Sequence, residues 1–402
     1  MAGIVVVGAG QAGASLVAKL RGLGYEGALT LVGAEAQPPY QRPPLSKAYL
    51  LGEMDEARLY LRPESYYAEH KIALRLGEPV SGVDVDAKTL RIGAETLSFD
   101  QLALTTGSVP NRLPQALGGD LERVFTVRTL ADIDRMSPPF ERNARVLVVG
   151  GGYIGLEAAA VASKLGLRVT LVEMAERILG RVAAPETADY FRTLHFGHGV
   201  DLREGVGLRE LTGQDGRVVG AVLTDGSVHE VDFVIVGTGI RPDTRLAGAA
   251  GIDCDDGIVV DAFGRTSAAG VWAAGDCANF PWGDGRIRLE SVQNAIDQSE
   301  AVAANMLGAE EPYVPKPWFW SDQYDVKLQI AGLNTGYDRV VIRESGTGAS
   351  HWYYRGDMLL SVDAMNAPRD YMVGKRLIEA GKSPLPEVIA NPETDLKALL
   401  QA

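Results

Sequence analysis

Cysteine is nearly absent from this chain. Cys254 and Cys277 are the only two in 402 residues. That count excludes a disulfide scaffold and a four-cysteine metal site. Without a C-x-x-C pair there is no dithiol relay of the kind disulfide reductases use, and so few cysteines fit a reducing cytosol. Histidine is scarce as well: His70, His195, His198, His229 and His351 show no H-E-x-x-H spacing, so structural or solvent-facing roles are expected of them rather than metal ligation. Positive charge is in deficit. With 39 Lys+Arg against 52 Asp+Glu the formal net charge is −13, a surface that repels DNA, RNA and anionic lipid. No run of about 18 apolar residues occurs, so no membrane span is expected. The first residues, Met1 to Gly8, enter a strand pattern at once with no basic region ahead of it, which points to a cytoplasmic protein without a signal peptide.

Glycine, by contrast, is abundant at 47 residues, and it directs attention to tight turns and to places where backbone approaches a ligand. The glycines mark an internal repeat. Ile4-Val5-Val6-Val7-Gly8-Ala9-Gly10-Gln11-Ala12-Gly13 is echoed by Val146-Leu147-Val148-Val149-Gly150-Gly151-Gly152-Tyr153-Ile154-Gly155. Each apolar run reads as a parallel strand buried on both faces. Each is followed by a helical pattern, Ala14 to Leu23 with Leu16, Leu20 and Leu23 on one face, and Leu156 to Leu165 likewise. A further strand pattern follows each helix, Ala28 to Val32 and Arg168 to Glu173.

Between the copies, Lys88 to Phe99 alternates as antiparallel strands do, and Leu102 to Thr105 reads as a buried strand ended by Thr106-Gly107. Phe233 to Val236 and Val271 to Ala274 repeat the buried-strand pattern. From about Tyr313 the texture changes. Trp318, Trp320, Trp352, Tyr353 and Tyr354 fall in alternating runs, with turns at Asn334-Thr335-Gly336 and Arg355-Gly356-Asp357, which indicates a separate α+β domain.

Both glycine clusters match G-x-G-x-x-G directly after a strand and at the opening of a helix. The first glycine makes the turn, the second admits a pyrophosphate to the backbone, and the third lets helix and strand pack closely. The phosphates then sit at a helix N-terminus, where free N–H groups and the dipole favour negative charge. The pattern also requires an acid at the end of the next strand to reach a ribose. Glu173 meets this in the second copy and would repel a 2′-phosphate, favouring NADH over NADPH; Arg177 and Arg181 lie nearby and act against that preference. In the first copy Gly33 and Ala34 stand in the expected places and the acid is Glu35. Either Glu35 reaches the ribose from one position on, or backbone groups hold it.

The chain resembles the two-dinucleotide flavoprotein reductases, and within them the putidaredoxin-reductase-like branch of ferredoxin reductases. The resemblance runs through essentially the whole chain. It rests on Arg42-Pro43-Pro44-Leu45-Ser46-Lys47-Ala48-Tyr49-Leu50, Gly151 to Glu157, Ala273-Ala274-Gly275-Asp276-Cys277-Ala278, Glu290 to Ala295, and Trp318-Phe319-Trp320-Ser321-Asp322-Gln323. It implies an α/β fold with two Rossmann-like dinucleotide-binding domains, glutathione-reductase-like, plus the C-terminal α+β domain. The implied boundaries are 1–112 with 243–314 for FAD, 113–242 for NADH, and 315–402 for the third domain.

Position by position, the resemblance assigns Gly8, Gly10, Ala12 and Gly13 to the FAD pyrophosphate, and Ala34, Glu35 and Arg42 to the same cofactor. Val80 is to contact adenine through its backbone, and Thr106-Gly107 and Arg128 add contacts. Gly275 and Asp276 take the ribityl chain. The helix beginning near Val292 is to point at the pyrimidine end, where a helix N-terminus stabilises negative charge. Gly150, Gly152, Tyr153, Ile154, Gly155, Glu173, Arg181 and the backbone of Gly239 are to line the NADH site. The resemblance also places Lys47 and Glu157 together at the flavin, where a carboxylate partner would let a buried lysine keep its charge. Trp320 either stacks beside the flavin or is an ordinary core aromatic. Cys277 is expected to be a packing residue.

The implied activity is NADH-dependent reduction of a [2Fe-2S] ferredoxin that serves a haem monooxygenase or ring-hydroxylating dioxygenase, by a monomer or weak homodimer. Rubredoxin, monodehydroascorbate and coenzyme-A-disulfide or peroxide reductases use the same scaffold, the last with a reactive cysteine that neither Cys254 nor Cys277 supplies. A flavin-bound signalling or structural protein is the alternative from another class. Arg339, Arg343, Arg369, Lys375 and Arg376 form a candidate basic docking patch or, alternatively, a solvated face.

Overall fold

Ile4–Val7 and Arg145–Val149 each become the central strand of a five-stranded parallel sheet. The computed structural model describes residues 2–346 and 348–401. Contacts divide them into two units, one of residues 2–42, 55–109 and 240–316, the other of 43–54, 110–239 and 317–401.

In the first unit the sheet runs Val271–Ala273, Gln101–Leu104, Ile4–Val7, Leu29–Val32, Ala73–Arg75. Ile4 pairs with Leu29 on one side and Gln101 on the other, all parallel. The helix Gln11–Gly22 covers one face and buries Leu16, Val17 and Leu20. It ends one residue earlier than its periodicity predicts. Leu23 is the C-cap and is 47% exposed, because the glycine turn starts the helix at Gln11 and three turns are complete by Gly22. Val6, Leu16, Leu20, Leu31 and Leu104 are fully enclosed, each contributing about 1.5–3 kcal/mol of hydrophobic stabilisation. A three-stranded antiparallel sheet, Val80–Asp84, Thr89–Ile92 and Glu95–Ser98, accounts for the alternating segment.

In the second unit the parallel sheet runs Asp201–Glu204, Arg168–Glu173, Arg145–Val149, Phe233–Val236, Val124–Thr126. Its helix Tyr153–Lys164 is buried through Ala158, Ala159, Ala160 and Ala162, small side chains that bring the backbone close to the sheet. The C-terminal segment forms a five-stranded antiparallel sheet in the order Trp318–Gln323, Val326–Gly332, Met358–Met365, Gly348–Arg355, Arg339–Ser345. Trp352 and Tyr354 face the helix side of this sheet and pack with Tyr371, Val373 and Leu377 of the helix Pro368–Glu379. Among the described residues no helix is long and apolar enough to cross a membrane, and no cluster of His, Cys, Asp or Glu could hold a metal ion.

Candidate functional site

In an open parallel sheet, ligands bind beyond the carboxyl ends of the strands where the strand order reverses. In the first unit that point lies between Ile4–Val7 and Gln101–Leu104, and the turn Gly8–Gly13 sits there. Gly8 has φ +117°, and a Cβ on it would meet the Thr105 carbonyl oxygen at 2.1 Å. The Thr105 hydroxyl donates to the Gly8 carbonyl at 2.9 Å and fixes the turn. A Cβ on Gly13 would come within 2.0 Å of the Gly8 oxygen, whereas one on Gly10 meets nothing within 4 Å. Gly10 is the N-cap of the helix, and no side chain caps it. Its first-turn N–H groups therefore face open space, which is what a pyrophosphate requires.

Other predicted FAD residues gather in this unit. A Cβ on Gly275 (φ +83°) would meet the Ala12 side chain at 2.9 Å, and the Gly275 N–H donates to Gln298 Oε1 at 2.8 Å. Asp276 accepts from the Ser108 hydroxyl at 2.8 Å. The helix Val292–Met306 starts at the predicted residue, with Ser291 accepting from the Asn294 N–H. Glu35 is tied to the loop that follows it. Its carboxylate receives Arg42 Nη2 at 2.6 Å and the Tyr40 hydroxyl at 2.5 Å. Val80 lies in the small antiparallel sheet. Thr106 donates to the Asp243 carbonyl at 2.6 Å.

The second unit repeats the turn. Gly150 has φ +109°, a Cβ on Gly155 would lie 2.0 Å from the Gly150 oxygen, and one on Gly152 meets nothing within 4 Å. Gly152 caps the helix without a side-chain bond. Glu173 accepts from the Gly151 N–H at 2.7 Å and from the Ala175 N–H at 2.8 Å. Gly239 (φ +94°) faces the Arg181 guanidinium, 3.8 Å from where its Cβ would be. Arg177 is turned onto its own loop, donating to the Ala183 carbonyl at 2.8 Å. Tyr153 follows the turn. Its hydroxyl is buried without a hydrogen-bond partner, burial pushes it well above the ordinary tyrosine range, and its ring packs on Phe319 at 5.0 Å. Arg128 lies in this unit and is half-buried.

Lys47 and Glu157 also meet within the second unit. Lys47 sits in a π-helical turn, Leu45–Tyr49, after the two prolines. Its Nζ is 3.0 Å from Glu157 Oε1 and 3.4 Å from Asp322 Oδ2. Glu157 is buried on the second turn of the helix Tyr153–Lys164, so it can be reached only by residues brought to it. Ser321 donates to its Oε1 at 2.7 Å and Ser46 to its Oε2 at 3.4 Å. Burial pushes the Glu157 carboxyl above its ordinary value, and Lys47 and the Ser321 hydroxyl pull it back. Removing one partner of such a pair strands a buried charge, at a cost of about 3–5 kcal/mol. Sequence reasoning missed Ser46, Asp322, Ser321 and Gln323. The quoted runs Arg42–Leu50 and Trp318–Gln323 contain them, and that was the available signal.

Trp320 is half-buried, with Trp318 at 5.5 Å and Phe319 at 6.4 Å. Cys277 is fully enclosed against the Ala274 and Leu104 carbonyls, and burial pushes its thiol up. The basic docking patch does not form as a set. Arg343 is buried and donates to the carbonyls of Ile389, Asn391, Pro392 and Thr394. Its guanidinium ties down the C-terminal segment because that segment leaves backbone carbonyls unmet. Arg339 pairs with Glu387 and Lys375 with Glu379, which neutralises two more members.

Residues 2–299 match the pyridine nucleotide-disulphide oxidoreductase family and residues 318–400 match the reductase C-terminal family. The chain is 41% identical to rhodocoxin reductase of Rhodococcus erythropolis, over 98% of this chain and 93% of that protein. It is 37% identical to putidaredoxin reductase of Pseudomonas putida, over 99% and 97%. The crystal structure of the covalent putidaredoxin reductase–putidaredoxin complex matches with a TM-score of 0.96 at 36% identity, covering 100% of this chain and 98% of that one.

Proposed function

The chain belongs to the pyridine nucleotide-disulphide oxidoreductase family, and from that premise we propose that it is an NADH-dependent FAD oxidoreductase that delivers electrons to a [2Fe-2S] ferredoxin. That ferredoxin serves a haem monooxygenase or ring-hydroxylating dioxygenase in the cytoplasm. The observation that carries the reading is the twinned turn: two capless helix N-termini, each with its second glycine facing open space. Residues 1–112 with 243–314 take FAD, 113–242 take the nicotinamide dinucleotide, and 315–402 form the third domain.

Bound FAD supplies the chemistry, accepting a hydride and releasing its electrons singly. The chain binds and orients. Gly10 and Gly152 would admit the two pyrophosphates, Asp276 would take the ribityl hydroxyls, and the helix that opens at Val292 would stabilise negative charge at the pyrimidine end. Glu173 would favour NADH, because its carboxylate would repel a 2′-phosphate, and Arg177 is turned onto the Ala183 carbonyl. Lys47, kept charged by Glu157, orients the nicotinamide. Trp320 would stack beside the flavin. With no C-x-x-C pair in the sequence and Cys277 enclosed, electrons would pass on without a thiol relay.

The test is NADH-driven cytochrome c reduction with and without an added [2Fe-2S] ferredoxin, repeated with NADPH. A ferredoxin-dependent rate that is large with NADH and small with NADPH supports the reading. Flavin bleaching by NADH without ferredoxin stimulation keeps the donor and overturns the acceptor. Lys47→Ala slows flavin reduction in stopped flow, and an unchanged rate removes the role given to that lysine.

A further inference from the structure

Behind Glu157 the second unit carries a line of polar side chains that the proposed function leaves unused. Ser321, Gln323 and His195 are each fully enclosed. Ser321 Oγ lies 2.7 Å from Glu157 Oε1, Gln323 Nε2 lies 3.2 Å from Ser321 Oγ, and His195 Nε2 lies 2.9 Å from Gln323 Oε1. The line ends at Tyr324, whose hydroxyl is 3.2 Å from His195 Nδ1. Tyr324 is partly exposed and stacks on the exposed His198, ring centroids 3.6 Å apart.

The direction of every bond in this line is fixed by its end. An ionised Glu157 only accepts, so Ser321 spends its one proton there. Its lone pair must then accept from the Gln323 amide nitrogen, which turns the Gln323 oxygen toward His195. His195 must carry its proton on Nε2 to meet that oxygen, leaving Nδ1 to accept from Tyr324. A neutral imidazole satisfies both neighbours, and burial holds His195 down to about 4, so it is neutral at physiological pH. Every donor therefore points toward Glu157, and aligned hydrogen bonds polarise one another in a low-dielectric interior. An amide in the middle cannot hand a proton along, so the line orients and polarises and does not conduct.

We propose that Ser321, Gln323, His195 and Tyr324 are positioning residues, a one-directional hydrogen-bond chain that keeps the Glu157 carboxylate charged and aimed at Lys47. The inference rests on the role given to the Lys47–Glu157 pair under the proposed function. The groups that face Glu157 are Lys47 and Ser46 from the turn, Ser321 and Asp322 from the strand Trp318–Gln323, and Tyr153 from its own helix. Asp322 opposes the carboxylate's charge and burial opposes it more, so the chain acts with Lys47 against both.

Two measurements test this. In the unchanged FAD-loaded protein, nitrogen-15 histidine NMR at neutral pH reads the His195 tautomer, with His195→Asn identifying its signal. The Nε2–H neutral form is expected; an imidazolium or an Nδ1–H form overturns the chain. In Gln323→Met, which keeps the volume and cuts the chain two bonds from the carboxylate, the Glu157 carboxyl band is followed by infrared difference spectroscopy against Glu157→Gln across pH. The midpoint for Glu157 protonation should rise by about one unit, a tenfold change in its ionisation constant. A role limited to packing lowers the melting temperature and leaves that midpoint in place, which overturns the proposal. A shifted midpoint with an unaltered rate of flavin reduction upholds the chain and overturns the catalytic role of the pair.

Discussion

The turns at Gly8–Gly13 and Gly150–Gly155 place their three glycines alike: a left-handed first residue at φ +117° and +109°, a second facing open space, and a third whose Cβ would reach the first carbonyl at 2.0 Å in both. Their acids do different work. Glu35 is gripped by side chains, Arg42 and Tyr40, which arrive from the following loop. Glu173 is gripped by backbone N–H groups of Gly151 and Ala175, one of them inside the glycine turn. The backbone device is therefore local and duplicated, whereas each acid is set by what surrounds it. In the second copy the acid is part of the turn; in the first it is tied to a loop beyond the turn.

The largest effect should come from the shared feature. Gly13→Val and Gly155→Val each force a side chain onto a carbonyl with no room to yield, a strain of about 3 kcal/mol or more. Purified Gly13→Val should lose its flavin absorbance. Gly155→Val should retain the flavin and lose NADH-driven reduction by about 100-fold. If both variants lose flavin equally, the two turns do not serve separate cofactors.

The difference between the acids predicts a smaller, asymmetric outcome. Glu173→Ala removes the acceptor of two N–H groups, one in the turn itself, a loss of about 1–3 kcal/mol. KM for NADH should rise about 10- to 100-fold, and the preference over NADPH should shrink. Glu35→Ala removes a half-exposed ion pair, worth about 1 kcal/mol or less, and should leave flavin content nearly unchanged on dialysis. Equal losses from both substitutions would erase the distinction between a turn-borne and a loop-borne acid.

Much of this was legible in the sequence because it is local. The strand Arg168–Glu173 falls on its predicted residues, as does Phe233–Val236, since a short apolar run bounded by glycine carries its own boundaries. Lys47 and Glu157 were paired through resemblance, and no spacing rule could pair residues from a proline-rich turn and a helix. The grip of Arg42 on Glu35 is not legible in the sequence, because it closes across a loop. The basic patch failed for the same reason: sequence proximity of Arg343 to other cations says nothing about the four carbonyls that claim it. His195 was set aside as structural, and only the fold shows it joined to Gln323 and, through Ser321, to Glu157.

A final contrast lies in buried histidine. The first unit holds only His70, which is exposed, while the second encloses His195 and His351. Burial holds His351 down to about 4, and its Nδ1 lies 2.8 Å from the Thr187 hydroxyl, which itself donates to Asp363. The unfolded chain binds a proton at this residue below about 6.5 and the folded chain does not until about 4. Its contribution to stability is thus complete above that upper value and is lost as pH falls toward the lower one. Asp363, pushed by burial up to about 6, and Glu157, also raised, have the opposite sign: their contribution is present at low pH and lost as pH rises. The histidine share is therefore isolated by substitution. His351→Asn, which can still donate to Thr187, should reduce the loss of stability between pH 7 and pH 5 by about 1–2 kcal/mol in urea unfolding. The gain should appear as hydrogen-exchange protection in the strand Gly348–Arg355, while the strand Ile4–Val7 of the first unit stays unchanged. A slope that His351→Asn leaves untouched, or a change spread evenly over both units, would mean that the buried imidazole does not set the acid sensitivity of the second unit.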